Sequence, residues 1–132
     1  MSAGKSATPL GKVRGLGPGG NVGGHWIEER FTSAVLVLLS LWLLFSLMML
    51  PALDRATLVE WLRAPAGAVP MALFVIAAFV HALDGMKVVV DDYVHAEGNR
   101  VATHFVLKMA AIAGGALCLF ALARIAFGAV AA

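Results

Sequence analysis

Two groups of residues in this chain could do chemistry, and eleven positions separate them. His81 stands inside an apolar run. Asp92 and Tyr93 stand where that run turns polar, within HALDGMKVVVDDYVH (81–95). A neutral imidazole offers one ring nitrogen as a ligand or acceptor and the other as a donor. A carboxylate beside a phenol can take up a proton and donate a hydrogen bond. On a helix, residues three and four apart share a face, so His81 shares its face with Ala77, Ala78, Asp84 and Gly85. Three of those four are Ala or Gly, which leaves an open shelf beside the imidazole, of the kind a flat, bulky ligand fills. At ~100° per residue Asp92 returns to nearly the same face, roughly 16 Å further along the axis. One helix thus presents a buried ligand atom at mid-depth and an acid with a phenol at one water interface.

The elements that carry these residues are membrane helices. The chain has 132 residues, of which 61% are hydrophobic and 14% charged, and its mean hydropathy is +0.87. That is too apolar for a soluble domain of this size and predicts an all-α membrane protein. Between Phe31 and Leu53 there is no charged residue; those positions rise roughly 35 Å as a helix, enough for a ~30 Å hydrocarbon core. A second span is expected at about 69–90, with Pro70 in its first turn, and a third at about 104–130. Lys108 and Arg124 near the ends of the third can snorkel, and Ala110, Ala113, Gly114, Gly115 and Ala116 make its middle narrow enough for close packing.

The connections follow from composition. Residues 1–24, rich in Gly and Ser, form a flexible N-terminal segment, and 25–132 form the three-helix membrane domain. Gly15-Leu16-Gly17-Pro18-Gly19-Gly20 fits a dinucleotide-binding pattern in letters only, because no strand precedes it and Pro18 interrupts it. No cleavable signal sequence is expected, and the N-terminus is read as intact. Residues 54–68 include Leu58, Trp61 and Leu62 and suit a short amphipathic helix along the interface, anchored by Trp61. Asp91–Thr103 reads as a polar loop turning at Gly98-Asn99.

Lys5, Lys12, Arg14 and Arg30 precede the first span, and Lys87, Arg100 and Lys108 flank the second loop. The first loop has only Arg55 and Arg63. The positive-inside rule then places the N-terminus and the Asp92/Tyr93 loop in the cytoplasm and the C-terminus outside.

The same survey excludes several classes. A net charge of +2 with no basic stripe is not a nucleic-acid signature. The single cysteine, Cys118, rules out a disulfide within the chain and reads as a small core residue. There is no nucleophile beside a base, no multi-ligand metal cluster, no internal repeat and no pair of broken helices. Ionisable groups inside a span face protein, cofactor or water, so His81, Asp84 and Lys87 mark the functional half of the second helix. Asp84 and Lys87, three apart, can pair.

From spacing alone His81 has two readings. It can be an axial ligand of haem iron, with small neighbours letting the macrocycle approach, or it can hydrogen-bond a neighbouring helix. His25, His95 and His104 fall near the cytoplasmic interface, so a second axial ligand would come from another chain. Asp92 and Tyr93 likewise read either as a quinone site, with Tyr93 donating to a carbonyl and Asp92 relaying a proton, or as a solvated interfacial pair.

Two motifs sharpen this. His81-x-x-x-Gly85 followed by Asp92-Tyr93-Val94-His95, and His25-Trp26-x-x-Glu29-Arg30 before the first span, resemble the signature of the smaller, D-type hydrophobic anchor subunit of succinate dehydrogenase (complex II). The resemblance covers about residues 25–130 and includes the three-span layout. It implies a non-catalytic anchor that pairs with a second three-span, cytochrome b-type anchor and holds an iron–sulfur subunit and a flavoprotein to a bacterial inner membrane, with the mitochondrial inner membrane as the lesser alternative. It implies that His81 ligates haem b shared with the partner anchor, that Tyr93 hydrogen-bonds a quinone such as ubiquinone with Asp92 delivering protons, and that Arg30 lies near the quinone or a haem propionate. Asp84 and Lys87 depart from it by putting charges where apolar residues are easier to hold. A fumarate reductase anchor, or a cofactor-free three-span protein recruiting a soluble partner, are the alternative functions.

Overall fold

The computed structural model describes residues 22–128, and these are helical almost throughout. Helix α1 spans Val22–Met48, α2 Arg55–Arg63, α3 Pro65–Tyr93 and α4 Glu97–Phe127. Three are long and apolar enough to cross a membrane: α1 from Trp26, α3 and α4. The expected three-span, all-α membrane architecture is present. The chain divides into two compact units, residues 1–31 and 32–132. In the described part of the first, the Arg30 guanidinium lies 3.9 Å above the Trp26 ring. Most of the predicted flexible segment, residues 1–21, and the end of the third predicted span, residues 129–130, lie outside the described residues.

Helix boundaries differ from the sequence expectation for local reasons. The first span was expected to reach Leu53, but α1 stops at Met48. Met49 and Leu50 close it with hydrogen bonds to Phe45 and Leu47 carbonyls (3.1 and 3.3 Å), because Pro51 disfavours helical backbone at the residue before it. Helix α3 starts at Pro65, with Pro in its favoured first-turn position. Pro70 therefore lies inside the helix and not in its first turn. It lacks the N–H that would bond the Ala66 carbonyl, a loss tolerated in membrane helices. At ~1.5 Å per residue α3 and α4 are roughly 44 and 47 Å long, more than the hydrocarbon needs, so their facing ends continue into polar sequence. That overturns the polar loop Asp91–Thr103 and its Gly98-Asn99 turn. Only Val94–Ala96 leave the helical path. Glu97 occupies the first turn of α4, where its charge favours the helix dipole, and the Asn99 carbonyl accepts from Thr103 Oγ1 at 2.8 Å.

Within the second unit, α3 packs on α4 and α2 touches both. Ala77, Val90 and Leu122 are the buried apolar residues of the described chain. The Phe79 ring lies against Gly114 and Gly115 of α4; a Cβ on Gly114 would come to 2.8 Å of it. The narrow middle of α4 thus receives an aromatic ring from α3.

The amphipathic helix expected over 54–68 is α2. Asp54 caps it, accepting from the Thr57 N–H at 2.8 Å. One extended residue, Ala64, joins it to α3, as the residue before Pro65 favours. Gly67 of α3 abuts the Trp61 carbonyl, and a Cβ there would run into it. The Trp61 ring, expected to anchor at an interface, stacks on Trp42 of α1, centroids 5.6 Å apart at 23°. Cys118, expected in the core, is exposed. A span in a single chain turns most of its surface outward, and Phe105, Ile112, Leu117 and Phe120 of α4 are exposed as well.

Candidate functional site

Helix α3 carries the candidate residues on one continuous rod. Near its middle, His81 Nδ1 lies 3.1 Å from Thr32 Oγ1 of α1. Thr32 is only 9% exposed. The other ring nitrogen, Nε2, has no hydrogen-bond partner among the described residues, yet no fully buried side-chain nitrogen or oxygen there lacks one. Nε2 therefore reaches the surface of the chain. Of the shelf expected from spacing, Gly85 is open: a Cβ built on it meets nothing within 4 Å. Ala77 and Asp84 on the same face are covered by the chain itself.

One turn further, Asp84 is 6% exposed and accepts from Lys87 Nζ at 2.7 Å. The expected pair forms. It joins two positions of the same helix and leaves the Lys87 side chain 39% exposed.

Asp92 and Tyr93 end α3. Both are exposed, Tyr93 by 78%, and the phenol has no partner among the described residues. His81 and Asp92 stay roughly 16 Å apart along the helix axis, so they form two centres and not one. Around the lower centre, His95 Nδ1 donates to the Tyr93 carbonyl at 3.1 Å. His104 Nε2 of α4 donates to Asp91 Oδ1 at 2.8 Å, with Arg100 Nε 3.9 Å from the same oxygen. Arg30 is exposed and engaged with Trp26; the His25 side chain lies outside what is described.

Sequence reasoning missed Thr32 and the Asp91–His104 clamp. The signal for Thr32 was a pair of hydroxyls, Thr32 and Ser33, at the edge of an uncharged run. Among the described residues no group of three or more His, Cys, Asp or Glu could enclose a metal ion. A haem iron, already held by its macrocycle, asks one axial nitrogen of a chain, and His81 Nε2 is the described atom that fits. The groove between α3 and α4, lined by Val75, Phe79, Leu83, Ile112, Gly115 and Leu119 among others and ≈ 330 Å³ in volume, is apolar and excludes His81.

The chain is similar to known proteins over most of its length. The family described as Succinate dehydrogenase/Fumarate reductase transmembrane subunit matches residues 5–117. A succinate dehydrogenase hydrophobic membrane anchor subunit of Rickettsia bellii is 31% identical over 101 residues, covering 76% of this chain and 81% of the relative. The like-named subunit of Rickettsia conorii is 32% identical over 53% of this chain and 56% of its own. That of Rickettsia typhi is 27% identical over 64% of this chain and 68% of its own. No solved structure matches. With three apolar helices and these relatives, the chain belongs to the succinate dehydrogenase/fumarate reductase transmembrane subunit family.

Proposed function

We propose that this chain is the small anchor subunit of a succinate:quinone oxidoreductase in a bacterial cytoplasmic membrane, that it holds haem b through His81, and that it forms part of a quinone site at Asp92 and Tyr93. One observation carries the reading. In a membrane helix of this family's chain, His81 has one nitrogen tied to a hydroxyl while the other reaches the surface, with the open Gly85 one turn away. Haem b bound there supplies a one-electron carrier whose potential its axial ligands tune.

The chain's own residues do the rest. His81 Nε2 offers its lone pair to the iron, and Gly85 leaves room for the macrocycle. A second imidazole would come from a second three-span anchor, because His95 lies beyond the end of α3 and His104 bonds Asp91, roughly 15 Å along the axis from His81. The Tyr93 phenol, unengaged among the described residues, donates to a quinone carbonyl, and Asp92 beside it accepts and delivers protons at the water boundary. Arg30 supplies a cation for a quinone or a haem propionate. The basic residues put the N-terminus and the Tyr93 end of α3 on the cytoplasmic side, where iron–sulfur and flavoprotein subunits would dock. The family also covers fumarate reductases, and the same anchor serves either direction.

A second reading rests on the same hydrogen bond: His81 ties α3 to α1 and no cofactor is held. A dithionite-reduced minus oxidised spectrum of the tagged chain, purified with its partners in mild detergent, separates the two. A b-type α-band lost in His81→Ala is the expected result. No band, with flavoprotein still co-purifying, leaves a haem-free anchor. No flavoprotein, from membranes that contain succinate dehydrogenase, overturns the proposal.

A further inference from the structure

We infer that Thr32 is a positioning residue for His81: its hydroxyl oxygen accepts the Nδ1 proton and so keeps the Nε2 lone pair turned out as a ligand. This rests on the haem reading above and names the residue that would tune it.

The geometry is specific. Thr32 Oγ1 and His81 Nδ1 are 3.1 Å apart, on α1 and α3, forty-nine positions away from each other in sequence. Thr32 is nearly buried, so this is not a chance pairing of surface groups in water. A neutral imidazole carries one proton. Were it on Nε2, Nδ1 would accept from the Thr32 hydroxyl, and the nitrogen at the surface would be an N–H with no lone pair for a metal. With the proton on Nδ1, the hydroxyl oxygen is its acceptor and Nε2 is free to ligate. Iron ligation therefore selects the second arrangement, and Thr32 satisfies an N–H that would otherwise stand unpaired in apolar surroundings. Partners of this kind fix the tautomer and ring orientation of a ligating histidine and raise its basicity, and losing one costs about 10–100-fold in affinity.

Three variants of the whole complex test this, purified in mild detergent: Thr32→Val, which keeps the shape and removes the acceptor, Thr32→Ser, which keeps the hydroxyl, and His81→Ala. Haem per flavin and the haem midpoint potential are read on each. The expected result is that Thr32→Val weakens haem retention about 10–100-fold. Its haem also reduces more easily, because a less basic imidazole stabilises the ferric state less. The shift is up to about tenfold in the oxidised-to-reduced ratio, ~59 mV for one electron. Thr32→Ser stays with the native complex. Unchanged content and potential in Thr32→Val, while His81→Ala loses its band, would overturn the positioning role and leave haem ligation intact. Assembly of the complex with Thr32→Ser but not with Thr32→Val would also overturn it, by marking the hydroxyl as a packing group. A native complex with no b-type band fails the haem reading first, and this inference with it.

Discussion

Lys87 Nζ lies 2.7 Å from Asp84 Oδ1, one turn along α3, and the two ends of this ion pair are unequally buried: 9% of the Asp84 side chain is exposed against 39% of the Lys87 side chain. The inequality sets what each substitution costs. Removing the ammonium strands a carboxylate with nowhere to go. Removing the carboxylate leaves a long, half-exposed lysine that can extend towards the headgroups. Lys87→Met should destabilise the complex by about 2–4 kcal/mol, below the usual range for a fully buried broken pair because lysine is partly exposed. Asp84→Asn should cost less, and the double variant less than Lys87→Met alone. Thermal inactivation of the complex in one detergent, run as a double-mutant cycle, checks the order. Equal costs for the two single variants would show that burial does not govern the pair.

The α3–α4 seam makes a contrast between adjacent glycines. A Cβ on Gly114 would stand 2.8 Å from the Phe79 ring, and one on Gly115 at an ordinary 3.6 Å. Gly114→Ala should destabilise by about 1–3 kcal/mol through overpacking, and Gly115→Ala should be close to neutral. Thermal denaturation of the two alanine variants side by side reads this directly; no loss in Gly114→Ala would mean the ring moves aside freely.

At the end of α3, Tyr93→Phe removes the phenol hydroxyl while keeping the ring. On the proposed quinone role, quinone reduction should fall by about tenfold, the worth of about 1.4 kcal/mol from one hydrogen bond. The haem spectrum and succinate oxidation with a soluble artificial acceptor should not change. A parallel fall with the soluble acceptor would place the defect upstream of the quinone.

The cap on α2 gives a pH dependence with a definite sign. The Thr57 backbone N–H, followed by its side chain, holds the exposed Asp54 carboxyl below the ordinary aspartate value of 3.8. A depressed carboxyl stabilises the folded form above its unfolded pKa, and the contribution fades as pH falls through the folded one. Exchange protection of the Thr57 amide should therefore hold at neutral pH and decline in acid. Asp54→Asn, which keeps an acceptor without a titrating charge, should flatten that decline. A native profile as flat as the variant's would remove the cap from the account.

What could be read in the sequence was what a single helix imposes. The Asp84–Lys87 pair and the opening at Gly85 follow from positions three and four apart, and both are present, whereas Ala77 on the same face is covered. The three spans followed from apolar length. Thr32 did not follow, because no local period links it to a histidine forty-nine positions away. The Asp91–Thr103 loop failed for a different reason. Polar composition marks where a chain leaves the hydrocarbon, but a helix satisfies its own backbone in either medium, so α4 begins at Glu97 in spite of Gly98 and Asn99. Cys118 was assigned by its residue type alone, and type says little about which way a membrane helix turns in a chain that leaves most of its apolar surface uncovered.

The Trp42–Trp61 stack gives the protein an optical gauge of its own. Two indoles 5.6 Å apart and 23° from parallel have coupled electronic transitions, and the chain holds only three tryptophans in all. Their coupled circular-dichroism signal reports whether the short helix α2 is docked on α1. Trp61→Phe should abolish that couplet and Trp26→Phe should leave it. The seating of this short helix can thus be followed during reconstitution without attaching any label.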